Sequence, residues 1–320
     1  MSKPAAKRAA NSRPYRKNRP HKPNSEFIIH NFLPTKEVKQ VRLGGSIMKP
    51  YNSPAEWLAH VRELGYSCII FPVDSSAPKQ VQRDYAQCCR DNDLLIGEVG
   101  VWRNVMDRDP AAREKNIAYA IRQLEMAEEV GANCCVNISG SPGDLWDGYH
   151  PSLDSREVYD DVIATTQRII DAVKPTKTCY SLEPMPWMVP ESPEQYRQLL
   201  RDMARPGAFR VHLDYCNMIN SLDRYRHASE FITKCFTLLQ DEIVSVHAKD
   251  VAITDGYLPV CIGEVPPGEG SIDLPLVTQL AHGLGKDTPV FVEHLPDHEA
   301  YVKATAVMRA AAERAGVPVK

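Results

Sequence analysis

Eight short apolar runs, each followed by a stretch of helical periodicity, constrain this chain more than any other feature of its sequence. The runs are VRLGGSI near residue 41, YSCIIFPV near 66, LLIGEVGVW near 94, ANCCVNISG near 132, CYSLEPM near 179, FRVHLDY near 209, IVSVHAKDV near 243 and PVFVEHL near 289. Short apolar runs alternating with amphipathic helices make repeated βα units around a parallel sheet. Eight such units close a barrel, and 320 residues with 43% hydrophobic content suffice to bury its core.

The helices have legible starts. Ser53-Pro54-Ala55-Glu56 places a serine cap, a proline in the first turn and an acid before WLAHVRELG, and Ser192-Pro193-Glu194 repeats the arrangement before YRQLL. Asp109-Pro110 opens the third helix and Gly131 closes it. An open doubly wound sheet is the competing architecture, but its phosphate-binding glycine patterns are missing after the first strand. Gly44-Gly45-Ser46 lacks both the third glycine and the helix pattern behind it. The expected fold is therefore α/β, a single-domain (β/α)8 TIM barrel over residues 26–320. Two connections, 139–154 after strand four and 251–271 after strand seven, exceed what packing needs and are expected to wall the pocket.

Residues 1–25 hold eight Lys/Arg and no acid, so removing those eight from a net charge of −3 leaves about −11 for the rest. This segment reads as a disordered basic tail, without the aromatic or helical patterning of a nucleic-acid binder. The sequence shows neither an apolar run of about 18 residues nor an N-terminal h-region, so no membrane span or secretory signal is expected. Nine cysteines form no CxxC pair, and several lie in strand-like runs, where a free thiol packs as a small hydrophobe. Together these features predict a cytoplasmic protein in a reducing compartment.

Function is concentrated at strand ends. Glu183, Asp214, His247 and Glu293 terminate the runs in SLEPMPW, VHLDYCN, VSVHAKD and VFVEHLP. A residue at the carboxyl end of a barrel strand points into the mouth where active sites form. Three carboxylates and one imidazole make a hard, mixed donor set for one divalent metal, Mn2+ first, with Mg2+, Co2+ or Zn2+ able to substitute. Period-two alternation puts His212 on the face of Asp214 and Lys249 on the face of His247. His212 reads as a deeper pocket residue that orients a carboxylate and is counted with the substrate contacts, and Lys249 as a contact to a substrate oxygen. Glu98, ending strand three, is read as a contact to a sugar hydroxyl or as a partner of Arg103. His150 lies in WDGYHPS beside Trp146 and Tyr149, where an imidazole can act as general base and the rings can stack on substrate. Trp187, in the stiff exit after Glu183, is counted with the substrate contacts.

The ligand order Glu183, Asp214, His247, Glu293 and the later PPGEGSID at 266–273 resemble the xylose-isomerase-like barrel superfamily of sugar phosphate isomerases and epimerases, over roughly residues 38–316. The resemblance implies a metal-dependent enzyme that removes a proton beside the carbonyl of a keto-sugar. It also implies that Glu183 and Glu293 are its acid and base. Two departures stand out: Asn217 where related epimerases carry a histidine, and no arginine shortly after His247. Within the superfamily the chain is also similar to the catalytic subunits of C-glycoside deglycosidases. That branch implies elimination from a 3-oxo-glycoside with His150 as base and a small second subunit as partner. The implied partners are thus a small sugar or glycoside and another subunit, in a homo- or hetero-oligomer, and neither a membrane nor nucleic acid. The endonuclease IV branch would need further histidines for three zinc ions, and a non-catalytic sugar-binding barrel would not need an intact ligand set.

Overall fold

The computed structural model describes residues 40–254 and 259–320. The basic tail expected over residues 1–25 lies outside them. In chain order the elements are β1 (Val41–Gly45), α1 (Pro54–Leu64), β2 (Cys68–Ile70), α2 (Lys79–Asp91), β3 (Leu95–Gly100), α3 (Pro110–Val130), β4 (Cys134–Asn137) and α4 (Arg156–Val173). There follow β5 (Tyr180–Leu182), α5 (Pro193–Met203), β6 (Phe209–Asp214), α6 (Leu222–Arg226), α7 (Ala228–Leu239) and β7 (Ile243–His247). The chain ends with β8 (Asp250–Ile253), β9 (Ile262–Val265), α8 (Leu274–Gly283), β10 (Thr288–Val292) and α9 (His298–Ala315).

All eight apolar runs become strands of one parallel sheet, in spatial order β1-β10-β7-β6-β5-β4-β3-β2. Its ends meet where the Ser67 amide donates to the Leu43 carbonyl at 2.9 Å, which brings β2 back to β1 and makes the sheet a barrel. The close approach has a steric condition. A side-chain carbon on Gly44 would lie 2.5 Å from the Cys68 carbonyl oxygen and 2.7 Å from the Phe291 ring, and one on Gly97 would lie 2.6 Å from that ring. The GG pair that fails as a phosphate loop therefore serves barrel closure around Phe291, which is fully buried.

Helix starts follow the capping chemistry. The side chains of Ser53, Asp109, Ser155, Ser192, Asp273 and Asp297 accept from backbone amides in the first turns of their helices. Gly65, Gly131 and Gly316 end α1, α3 and α9 in the left-handed region. The main core lies between sheet and helices, and Cys135 belongs to it. On the opposite face of β4, Cys134 and Val136 join Cys179 and Val244 in a smaller cluster, as strand alternation requires. No helix among the described residues is long and apolar enough to cross a membrane.

Two features differ from the sequence reading. The helical stretch between β6 and β7 breaks at His227 into α6 and α7. The seventh run does not continue through Val251: β7 ends at His247, and Asp250–Ile253 turns away to pair antiparallel with β9. The physical reason is Asp250, whose carboxylate is 1% exposed and accepts from the amides of Val251 (2.9 Å), Gly268 (3.0 Å), Gly270 (3.1 Å) and Ile272 (2.9 Å). That clamp folds the PPGEGSID segment onto the base of the hairpin.

Candidate metal centre

Each of the four strand-end residues arrives at the same level of the barrel. Asp214 and His247 are the last residues of β6 and β7 and stand opposite one another in register. Glu183 and Glu293 follow the last residues of β5 and β10, and the Glu183 amide is held by the Asn137 carbonyl at 2.8 Å. One ligand atom from each of the four lies within 4.8 Å of all the others. His247 Nδ1 is 2.8 Å from Glu293 Oε1, 3.2 Å from Glu183 Oε1 and 3.7 Å from Asp214 Oδ2. Asp214 and His247 have no exposed surface, and Glu183 has 5%.

Lys249 shares this space. Its ammonium, on a side chain 1% exposed, lies 2.7 Å from Asp214 Oδ2, against Glu293 Oε1, and 3.7 Å from Glu183 Oε1. Its other neighbours are Glu264 on β9 at 3.6 Å and His294 Nδ1 at 3.3 Å. His294 in turn contacts Glu264 at 3.0 Å, from a backbone with φ of 55°, in the left-handed region. Asn217, which departs from the epimerase pattern, has a defined role: its amide donates to Asp214 Oδ1 at 3.0 Å and its side-chain nitrogen to Glu183 Oε1 at 3.3 Å.

The charges perturb one another. Burial pushes the Glu183 carboxyl up, and the neighbouring Glu293 adds to this against His247 and Lys249. Glu293 goes the other way: despite burial, His247 and then Lys249 bring it down to about 2. Asp214 is held well below the carboxylate range, against burial, by Lys249 and His247. Burial depresses His247, but Glu293, Glu98 and Glu183 raise it well above the ordinary imidazole value.

The donor set suits a divalent cation. Asp214 Oδ2 and Glu293 Oε1 are buried without a hydrogen bond of acceptable geometry, although Lys249 stands close to both. Three carboxylates converge on His247 and Lys249, and a bound dication would offset their charge once the imidazole gives up its proton to serve as a ligand.

Glu98 and His212, which the sequence reading places among substrate contacts, lie below this layer and have no exposed surface. They touch each other at 3.0 Å and His247 from beneath. Arg103, the alternative partner of Glu98, instead stacks over the Tyr119 ring at 4.9 Å. His150 stays within its own loop, half-buried, with Nδ1 3.3 Å from the Ser152 amide that donates to it and 2.8 Å from the Ser152 hydroxyl. Trp146 packs against the Ile138, Leu153 and Met188 cluster. Tyr149 is 68% exposed. Trp187 donates to the Asp147 carbonyl at 3.0 Å and lines a cleft of about 490 Å3 beside the centre, with Asn217, Ile219, Val260, Ile262 and Glu264.

Ser245, Glu264, His294 and Asp250 are site residues the sequence reading missed, and Asn217 was named only as a departure from the epimerase pattern. HAKD carried a signal for Asp250 and VFVEHLP one for His294, since both abut ligand residues. Glu264 lies in the connection expected to wall the pocket, and Ser245 shares the face of His247 by strand alternation, but neither was singled out.

The family model described as xylose isomerase-like TIM barrel matches residues 58–311. No curated protein matches the chain. Among solved structures it is similar to a xylose isomerase-like TIM barrel protein from Mycobacterium smegmatis in complex with magnesium, at 19% identity and a TM-score of 0.59, covering 81% of this chain and 90% of that one. It is also similar to 3-keto-D-glucoside 4-epimerase from E. coli, at 16% identity and a TM-score of 0.60, over 86% and 100% of the two chains. D-psicose 3-epimerase from Clostridium cellulolyticum H10, solved with D-tagatose, gives 11% identity and a TM-score of 0.61 over 86% and 98%.

Proposed function

The chain belongs to the xylose isomerase-like TIM barrel family, and on that premise we propose that it is a divalent-metal-dependent enzyme moving a proton beside the carbonyl of a sugar or sugar derivative. The observation that carries this reading is the convergence of Glu183, Asp214, His247 and Glu293, whose carboxylates crowd together around the buried His247 and Lys249 at the barrel mouth. These four residues would hold the cation, Mn2+ first and Mg2+, Co2+ or Zn2+ in its place. When bound, the cation supplies Lewis-acid polarisation of substrate oxygens. Glu183 and Glu293 serve as acid and base: one takes the proton from the carbon beside the carbonyl and the other returns one, giving isomerisation or epimerisation. Lys249 binds a substrate oxygen, and Trp187 forms one wall of the cleft.

A second reading, elimination from a 3-oxo-glycoside as in C-glycoside cleavage, draws on that cleft. Trp187, Ile219, Val260 and Ile262 give it an apolar side suited to an aglycone. The proposed base there would be His150. In the structure its Nδ1 meets the Ser152 hydroxyl and amide within its own loop, which favours the glutamates of the centre over His150 as base.

The test is incubation of Mn2+-loaded protein with ketoses, inososes and 3-oxo-glycosides in deuterated water. Label at carbon with rearrangement is expected for the first reading, and aglycone release for the second. Glu183→Gln and Glu293→Gln should each abolish turnover while the fold persists. Full activity in either variant, or no exchange with any of these compounds, would sink the proposal.

A further inference from the structure

Directly beneath the metal centre is a second polar layer in a barrel whose interior would ordinarily be apolar. Glu98 on β3, His212 on β6 and Ser245 on β7 have no exposed surface. Glu98 Oε1 accepts from the Ser245 hydroxyl and lies 3.0 Å from His212 Nε2. The same carboxylate is 3.4 Å from His247 Nε2 through Oε2 and 3.3 Å through Oε1. The His212 and His247 rings meet edge-on, with centroids 4.1 Å apart and Nε2 atoms 2.9 Å apart.

This layer bears on how His247 can act. Its Nδ1 faces the ligand carboxylates, so Nδ1 is the atom that would meet a cation, and a neutral imidazole can offer that lone pair only when its proton sits on Nε2. A buried N–H needs an acceptor. The Glu98 carboxylate can take the His212 proton on Oε1 and the His247 proton on Oε2, and it is then the shared anion that holds two N–H groups together across the 2.9 Å between their Nε2 atoms. His212 then has its Nδ1 without a hydrogen-bond partner, which is where the structure leaves it.

We propose that Glu98 is a positioning residue of the metal centre: held by Ser245 and shared with His212, it fixes His247 in the tautomer and ring orientation that present Nδ1 to the cation. The inference rests on the metal reading of the four strand-end residues. Outer carboxylates that orient a ligating histidine characteristically change metal affinity by about 10–100-fold when removed. Glutamine in place of Glu98 keeps the shape but only one acceptor oxygen, so one of the two imidazole N–H groups would face an amide NH2.

The experiment is Co2+ titration of the full chain against a competing chelator, with visible absorption spectra and circular dichroism, for the wild type, Glu98→Gln and Ser245→Ala. One equivalent of Co2+ is expected in the wild type. In folded Glu98→Gln we expect affinity about 10–100-fold weaker and displaced Co2+ absorption bands, and in Ser245→Ala a smaller change in the same direction. If Glu98→Gln does not fold, Ser245→Ala decides. A folded Glu98→Gln, or Ser245→Ala standing in for it, with wild-type affinity and spectrum overturns the inference while sparing the metal reading. Two equivalents in the wild type, one of them lost in Glu98→Gln, would make Glu98 a ligand and overturn it as well. A wild type that binds no Co2+ removes the metal reading, and the inference falls with it.

Discussion

Replacing Asp250 with asparagine exchanges one acceptor oxygen for an NH2 group and leaves the side-chain shape intact. In the native clamp Oδ1 takes the amides of Val251 and Ile272, and Oδ2 those of Gly268 and Gly270. Whichever way the amide is turned, two backbone donors lose their acceptor at a position 1% exposed. Hydrogen bonds to charged groups contribute about 1.5–3 kcal/mol each. The cheaper orientation gives up the Val251 bond, made within one residue, together with that of Ile272. The expected loss is thus about 3 kcal/mol, a fall in Tm of roughly 4–6 °C for a domain of this size. Urea unfolding followed by tryptophan fluorescence measures it, with thermal melts as a check. A loss below about 1 kcal/mol would refute the clamp as the device that folds residues 266–273 onto the hairpin. The same clamp holds β9, and so Glu264, beside Lys249.

Three further outcomes follow from packing and charge. Gly97→Ala should destabilise the barrel by about 1–3 kcal/mol by driving a methyl group into Phe291, and Phe291→Leu in the same chain should recover part of that loss in chemical denaturation. Lys249→Met removes the ammonium that offsets Asp214 and Glu293, so its Tm in EDTA should fall more than its Tm in Mn2+; equal falls would show that Lys249 does not compensate the ligand carboxylates. Glu128 accepts from the amides of Thr176, Lys177 and Thr178 and from the Thr176 hydroxyl, which against burial lower its pKa. Its contribution is present above the ordinary glutamate pKa of about 4.3 and is lost as pH falls through the lowered folded value. The stability gap between wild type and Glu128→Gln should therefore close on acidification, and a gap independent of pH would contradict the assignment.

Much of this molecule is local and could be read without coordinates. An apolar run ends where its strand ends, so Glu183, Asp214, His247 and Glu293 stood out at the points where the barrel opens. Period-two alternation correctly paired His212 with Asp214 and Lys249 with His247 on common faces. The caps at Ser53, Asp109 and Ser192 formed as read because each needs only its own first turn.

Tertiary structure decided what those faces meet. Glu98 lies 114 positions from His212 and 147 from Ser245, and no periodicity relates residues on strands that become neighbours only when the sheet closes. Glu98, read as a strand-end acid, stands inside β3, which runs on to Gly100, and closure makes it the support beneath His247 and gives Asn217 a partner in Glu183. It also aimed Lys249 at three carboxylates, where the sequence showed only that it shared a face with His247. The sequence alone thus determined that Glu183, Asp214, His247 and Glu293 reach the mouth of the barrel. Their partners depend on distances across the barrel interior, set by the glycines at 44 and 97 and by the ring of Phe291 between them.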